Sequence, residues 1–164
     1  MKQIVRLTIN GDERAAHVDT RRTLLDVVRE EFSLLGAHRG CDSGDCGACT
    51  VLLDGQPVTG CMVLAVDCEG AHVLTIEGLA QSERLHPVQR QLVEHGGIQC
   101  GFCTPGIVLS AVALLEENPH PDESQVRQAL AGNLCRCTGY AKIVTAVLAA
   151  AEEISTLAQA EEPA

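Results

Sequence analysis

Residues Gly40-Cys41-Asp42-Ser43-Gly44-Asp45-Cys46-Gly47-Ala48-Cys49-Thr50-Val51 decide how the chain is read. Three cysteines fall at x4 and x2 spacing among glycines, with no apolar period, so this is a loop that must bend tightly. On its N-terminal side, Ile4 to Ile9 alternates with Val5, Leu7 and Ile9 on one face. Asn10-Gly11 then reads as a two-residue hairpin turn, and a return strand follows around Arg14 to Val18. Thr23 with Asp26 is a capping-box variant that opens a helix striped by Leu25, Val28 and Phe32. On the C-terminal side, Val51 to Leu53, Asp54-Gly55 and Val58 form a second hairpin signal. Short strands are expected near Met62 to Val66 and His72 to Ile76. A helix laid across a small mixed sheet is the economical arrangement.

Composition changes between Glu77 and Leu85, and the pattern beyond is helical. Pro87 opens a helix carrying Val88 and Leu92. Thr104-Pro105 reads as N-cap and first residue of a helix burying Val108, Val112 and Leu115, which must stop before Pro119 and Pro121. Asp122 with Gln125 caps a third helix bearing Val126 and Leu130, ended by Gly132. The last starts near Gly139 and carries Ile143, Val147, Ala151 and Ile154. The expected fold class is α+β: a β-rich domain over residues 1–78, a linker over 79–84, four helices over 85–155 and a flexible tail over 156–164.

The chain has 164 residues and a formal charge of −10. That charge disfavours nucleic acid, which needs a basic face. Phe32, Phe102 and Tyr140 are the only aromatics, so there is almost nothing on which to stack bases. The strongly apolar stretches fall short of the ~20 residues a membrane span needs. Arg21-Arg22 looks like a twin-arginine signal, but Asp26, Arg29, Glu30 and Glu31 interrupt any apolar run behind it. With no export signal read, the chain is expected in a reducing cytoplasm, where clustered cysteines bind metal or do redox chemistry more often than they form disulfides.

Nine cysteines are present. Cys41-x4-Cys46-x2-Cys49 followed by Cys61 is the plant-type spacing for a [2Fe–2S] cluster. Glycines 40, 44 and 47 let the backbone approach an inorganic core, and free amides in such a loop can donate to its sulfurs. Cys61 is expected from the strand after the Asp54-Gly55 hairpin. Cys100-x2-Cys103 lies beside the positive end of the Thr104-Pro105 helix. Cys135-x-Cys137 would diverge on a helix and so belongs to the turn between the third and fourth helices. Zinc is the alternative at both sites, more so at the second, whose spacing is less specific.

Gly40-Cys41, Cys46-Gly47-Ala48-Cys49-Thr50-Val51, Gln99-Cys100-Gly101-Phe102-Cys103-Thr104-Pro105-Gly106 and Gly132-Asn133-Leu134-Cys135-Arg136-Cys137-Thr138-Gly139-Tyr140 together resemble the iron–sulfur subunit of the molybdenum hydroxylases, the xanthine oxidase family. The resemblance runs from about Ile4 to Leu148. It implies a β-grasp, ferredoxin-like domain with one [2Fe–2S] cluster and a four-helix-bundle domain with a second. It also implies a molybdopterin-binding large subunit and an FAD-binding medium subunit, assembled as a dimer of heterotrimers. The chain stops where a flavin domain begins in single-chain members, which suggests the separate small subunit of a three-subunit bacterial enzyme. By the same resemblance Gln99 is a hydrogen-bond partner of the pterin, and Cys137 lies beside it while ligating iron.

Cys68 has no place in either four-sulfur set and reads as a buried or half-buried thiol in a strand. His38 and Arg39 have no role in the family pattern, and a solvated loop is their default. Arg136 either offsets cluster charge, meets a partner or makes a structural salt bridge. Electron relay within a molybdenum hydroxylase is the leading function, and substrate chemistry would then belong to the partner. A free two-cluster ferredoxin and a zinc-bound scaffold are the rivals.

Overall fold

The computed structural model describes residues 1–80 and 84–161. Two strands, β1 (Lys2–Ile9) and β2 (Asp12–Asp19), pair antiparallel. Asn10 and Gly11 between them both take positive φ, 53° and 89°, as an Asn-Gly hairpin turn requires. Asp54 (φ 49°) and Gly55 (φ 82°) repeat this device between β3 (Thr50–Leu53) and β4 (Gln56–Thr59). With β5 (His72–Leu74) the sheet runs β2-β1-β5-β3-β4, and only the β1–β5 pairing is parallel.

Helix α1 (Leu24–Asp26) starts at the expected capping box. The Thr23 amide donates to Asp26 Oδ2 (2.9 Å), and the Asp26 amide donates to Thr23 Oγ1 (3.2 Å). It widens at once into a π turn over Val27–Glu31, so Phe32 lies at its end and not within a stripe. Leu24, Leu25, Val27 and Val28 are buried against one face of the sheet.

The second half contains α2 (Pro87–Glu94), α3 (Thr104–Glu117), α4 (Glu123–Ala129) and α5 (Ala141–Glu161). Strand alternation explains how the halves join. Val51 points into the core shared with α1, whereas its neighbour Leu52 points into the core of the helices. Helix α3 is therefore wedged between sheet and helices, and Ile107, Val108, Leu109, Ala111 and Val112 are all buried. The linker expected over 79–84 falls partly on 81–83, outside the described residues.

Further expectations are corrected here. Met62 to Val66 is not a strand: 3-10 turns at Gly60–Met62 and Ala65–Cys68 occupy it, leaving one bridge from Leu64 to Thr23. Cys68 is buried as expected, but in the second of these turns, with its thiol 3.5 Å from the Leu64 carbonyl. Helix α3 is capped by Cys103, which places Thr104 and Pro105 inside its first turn. Helix α5 continues to Glu161 through residues assigned to a loose tail, and 162–164 lie outside the described residues.

By length and composition, Ala141–Ala160 is apolar enough to cross a membrane, against the expectation that the apolar stretches fall short of a span, because its many alanines extend the apolar run. In the fold its Ile143, Val144, Ala146, Val147 and Ala150 are buried in the helical core. Glu153 on the same helix is tied to α2 through Arg90 and Gln91.

Helix α2 begins at His86, whose Nδ1 accepts from the Val88 amide (3.2 Å). Only the neutral ring can accept, and burial holds its pKa below the usual histidine value. The cap therefore stabilises the fold above the unfolded pKa of about 6.5 and is lost as pH falls through the lower folded value. His86→Asn keeps a cap that does not titrate, worth about 1 kcal/mol. Its melting temperature should fall less than that of the parent from neutral to mildly acidic pH. Parallel slopes in paired melts would remove this role for His86.

Candidate metal centres

The loop after α1 is closed by the His38 amide, which donates to the Ala48 carbonyl (2.9 Å). Asp42 (φ 56°), Gly44 (φ 83°) and Gly47 (φ 66°) turn it through left-handed conformations. A Cβ on Gly40 would sit 2.7 Å from Cys46 Sγ, so only glycine lets the backbone pass that thiol. Cys61 arrives in the turn just after β4, not from a strand, and the Gly60 amide fixes it by donating to the Cys49 carbonyl (3.2 Å). Cys49 and Cys61 are buried, while Cys41 reaches the surface.

The second group forms where two interhelical segments meet. Cys100 and Cys103 precede α3, and Cys135 and Cys137 lie between α4 and α5. Cys100 Sγ is 3.6 Å from Cys137 Sγ, both exposed. Tyr140 braces the segment: its hydroxyl accepts from the Cys135 amide (2.7 Å) and donates to the Asn133 carbonyl (3.0 Å).

Within each group the thiols lie close enough to influence one another. Cys100 Sγ and Cys137 Sγ are in contact, Cys41 feels Cys46, Cys49 feels both Cys61 and Cys46, and Cys103 feels both Cys135 and Cys100. A single zinc ion needs its sulfurs around one centre. A [2Fe–2S] cluster takes four thiolates, and Cys41-x4-Cys46-x2-Cys49 with Cys61 has the spacing such a cluster uses. The donor set thus fits [2Fe–2S] better than zinc.

The environments of the thiols differ within each set. Hydrogen bonds from the hydroxyl and amide of Ser43 bring Cys41 down to about 6. Burial pushes Cys49 up to about 11 and Cys103 up to about 12. Burial also raises Cys135, but the hydroxyl of Thr138 (3.1 Å) and its amide outweigh that and bring it to about 7. The Phe102 amide lowers Cys100, and contact with Cys100 raises Cys137. Metal binding to the buried members must therefore displace protons at neutral pH.

The loops also grip one another, which the sequence reading missed. His38 is half-buried, not solvated: its ring stacks on Phe102 with centroids 4.7 Å apart, and Nδ1 lies 2.8 Å from the Phe102 carbonyl oxygen. The Leu134 amide donates to the Cys46 carbonyl (2.9 Å). Asn133 is buried in the same seam. One hint was available for Phe102, a rare aromatic between two thiols; none marked His38 or Asn133. Arg39 ties the first loop to α1 through Asp26 and Asp42. Gln99 is exposed beside Cys100. Arg136 is exposed and enters no salt bridge among the described residues.

Two family models match, together spanning most of the chain: a 2Fe–2S iron–sulfur cluster binding domain over residues 7–80 and a [2Fe–2S] binding domain over residues 75–148. The nicotinate dehydrogenase small FeS subunit of Eubacterium barkeri is 44% identical over 151 residues, 92% of this chain and 96% of that protein. The chain belongs to the small iron–sulfur subunits of the molybdenum hydroxylases. Another relative, the nicotine 6-hydroxylase small subunit of Paenarthrobacter nicotinovorans, is 47% identical over 146 residues, covering 89% of this chain and 88% of that one. Among solved structures of the family, quinoline 2-oxidoreductase from Pseudomonas putida 86 superposes with a TM-score of 0.91 at 43% identity. That match covers 94% of this chain and 97% of the other.

Proposed function

We propose that this small iron–sulfur subunit relays electrons between a molybdopterin-binding large subunit and an FAD-binding medium subunit. Cys41, Cys46, Cys49 and Cys61 would hold one [2Fe–2S] cluster, and Cys100, Cys103, Cys135 and Cys137 the other. When bound, these clusters would supply one-electron chemistry, with the second set on the molybdenum side and the first on the flavin side. The observation that carries this reading is the meeting of the two cysteine loops along one seam, where the Leu134 amide donates to the Cys46 carbonyl and the Asn133 side-chain amide to the Gly47 carbonyl. The chain's own residues then have defined tasks. Cys49, Cys61 and Cys103 keep water from the inner edge of each site. The Ser43 amide and Thr138 hydroxyl donate to sulfur, which tunes a cluster's potential. The exposed thiols Cys41, Cys100 and Cys137 leave an edge of each site open toward partners.

The finer architecture follows the same reading: a β-grasp domain to about residue 78, a linker over 79–84 and a four-helix bundle beyond. So do a cytoplasmic location and a dimer of heterotrimers. Metal analysis and absorption of the purified complex test the assignment. Iron with the brown [2Fe–2S] spectrum, and two EPR signals on partial reduction, are expected. Colourless zinc would refute it. Purification without stoichiometric flavin and molybdenum subunits would favour a free ferredoxin.

Gln99 would reach the pterin from the rim beside Cys100, with Cys137 next to it. Gln99→Ala should keep its full iron, since an amide supplies no thiolate, yet slow substrate-driven cluster reduction or lower molybdenum occupancy. The partner left unpaired costs about 1–3 kcal/mol. Normal occupancy with normal reduction rates would remove Gln99 from the cofactor contact, and lost iron would make its role local and structural.

A further inference from the structure

We propose that Asn133 is the positioning residue that holds the two thiol sets in register for electron passage between them. The inference rests on the relay reading. Asn133 is only 4% exposed. Its Oδ1 accepts from Ser110 Oγ on α3 (2.8 Å). Its Nδ2 donates to the Gly47 carbonyl (3.0 Å) and to Thr50 Oγ1 (3.1 Å). One amide thus ties α3, the first cysteine loop and the start of β3 to the segment that carries Cys135. The next residue, Leu134, makes the hydrogen bond to the Cys46 carbonyl. The seam is as close as backbones allow: a Cβ on Gly47 would lie 2.2 Å from the Gly132 carbonyl oxygen.

The site needs an acceptor on one side and a two-proton donor on the other, which fits an asparagine amide in a single orientation. Aspartate has the same shape but would aim a lone pair at the Gly47 oxygen. Yet each loop also closes without Asn133. The Gly47 carbonyl still accepts from the Thr50 amide (3.1 Å) and hydroxyl (2.7 Å). The Cys135 loop keeps its bonds to Tyr140 and Thr138. Loss of the clamp should therefore leave both thiol sets able to bind iron and loosen only their relation. Electron transfer falls steeply with distance, so a small loosening at this contact is felt.

The test uses the assembled, iron-loaded complex carrying Asn133→Asp or Asn133→Ala, with Thr50→Ser as the variant that keeps the hydroxyl. Iron content and both EPR signals should persist in at least the alanine variant. The magnetic interaction between the two reduced centres should weaken, and transfer between them should slow several-fold. Thr50→Ser should match the parent. Unchanged splitting and rate in the iron-loaded variants would overturn the proposal, and so would loss of iron from both, which would make Asn133 a residue of cluster assembly. A parent complex with no pair of [2Fe–2S] signals would instead defeat the relay reading itself.

Discussion

Gly106→Ala should lower the melting temperature of the iron-loaded chain by several degrees, although alanine is the better helix former. Gly106 lies in the first turn of α3, where propensity alone favours alanine by about 1 kcal/mol. Against that, a Cβ there would stand 2.4 Å from the Gly47 carbonyl oxygen and 3.0 Å from Asn133 Nδ2. The oxygen cannot swing aside without abandoning Thr50 and Asn133. Overpacking a rigid site costs about 1–3 kcal/mol, and the strained hydrogen bonds add to it, so the clash outweighs propensity. A net loss of about 1–2 kcal/mol corresponds to several degrees in a chain of this size. Gly132→Ala is the control: its Cβ would meet nothing within 4 Å, so it should change stability by less than about 0.5 kcal/mol. If both variants melt with the parent, the close approach of the two loops is not a constraint on the fold.

The parts of the molecule that were legible in the sequence are those set by neighbours in the chain. Asn10-Gly11 and Asp54-Gly55 specify their hairpins because the turn demands positive φ at both positions. Thr23 and Asp122 mark helix starts because each finds its partner three residues on. The thiol sets were readable for the same reason, since most of their spacing is local. Met62 to Val66 misled because its apolar residues imitate a strand. In the fold the chain there is bent to deliver Cys61, and Met62 and Leu64 stay substantially exposed. Cys103 took the capping position of α3 from Thr104 because the thiol loop runs directly into the helix. The seam was illegible for a different reason. His38 meets Phe102, and Asn133 meets Gly47, across long stretches of chain, and nothing near either residue announces the partner. Residues assigned a loop by composition thus hold the two sites together.

Cys49→Ser should abolish one [2Fe–2S] signal, spare the other and halve the iron. Cys49 is 2% exposed and, with Cys61, lies at the buried end of the first site. Serine there is harder than thiolate and does not ionise near neutral pH, so one of the four thiolates that would hold the cluster is lost. The second site draws its thiols from other segments. Cys103 is part of the helical core, and Cys135 packs against that core. That independence should let it load normally, because sites with no shared ligand respond nearly additively to substitution. The seam is the one route by which damage could spread, through Gly47 and Cys46 to Asn133 and Leu134. In the assembled enzyme, substrate should still reduce the surviving centre while flavin reduction collapses, since on the proposed order the electron leaves through the emptied site. EPR of the partly reduced variant with an iron assay reads the first outcome, and single-turnover absorbance reads the second. Loss of both signals would mean that the two sites load as one cooperative unit. Retention of both would remove Cys49 from the ligand set.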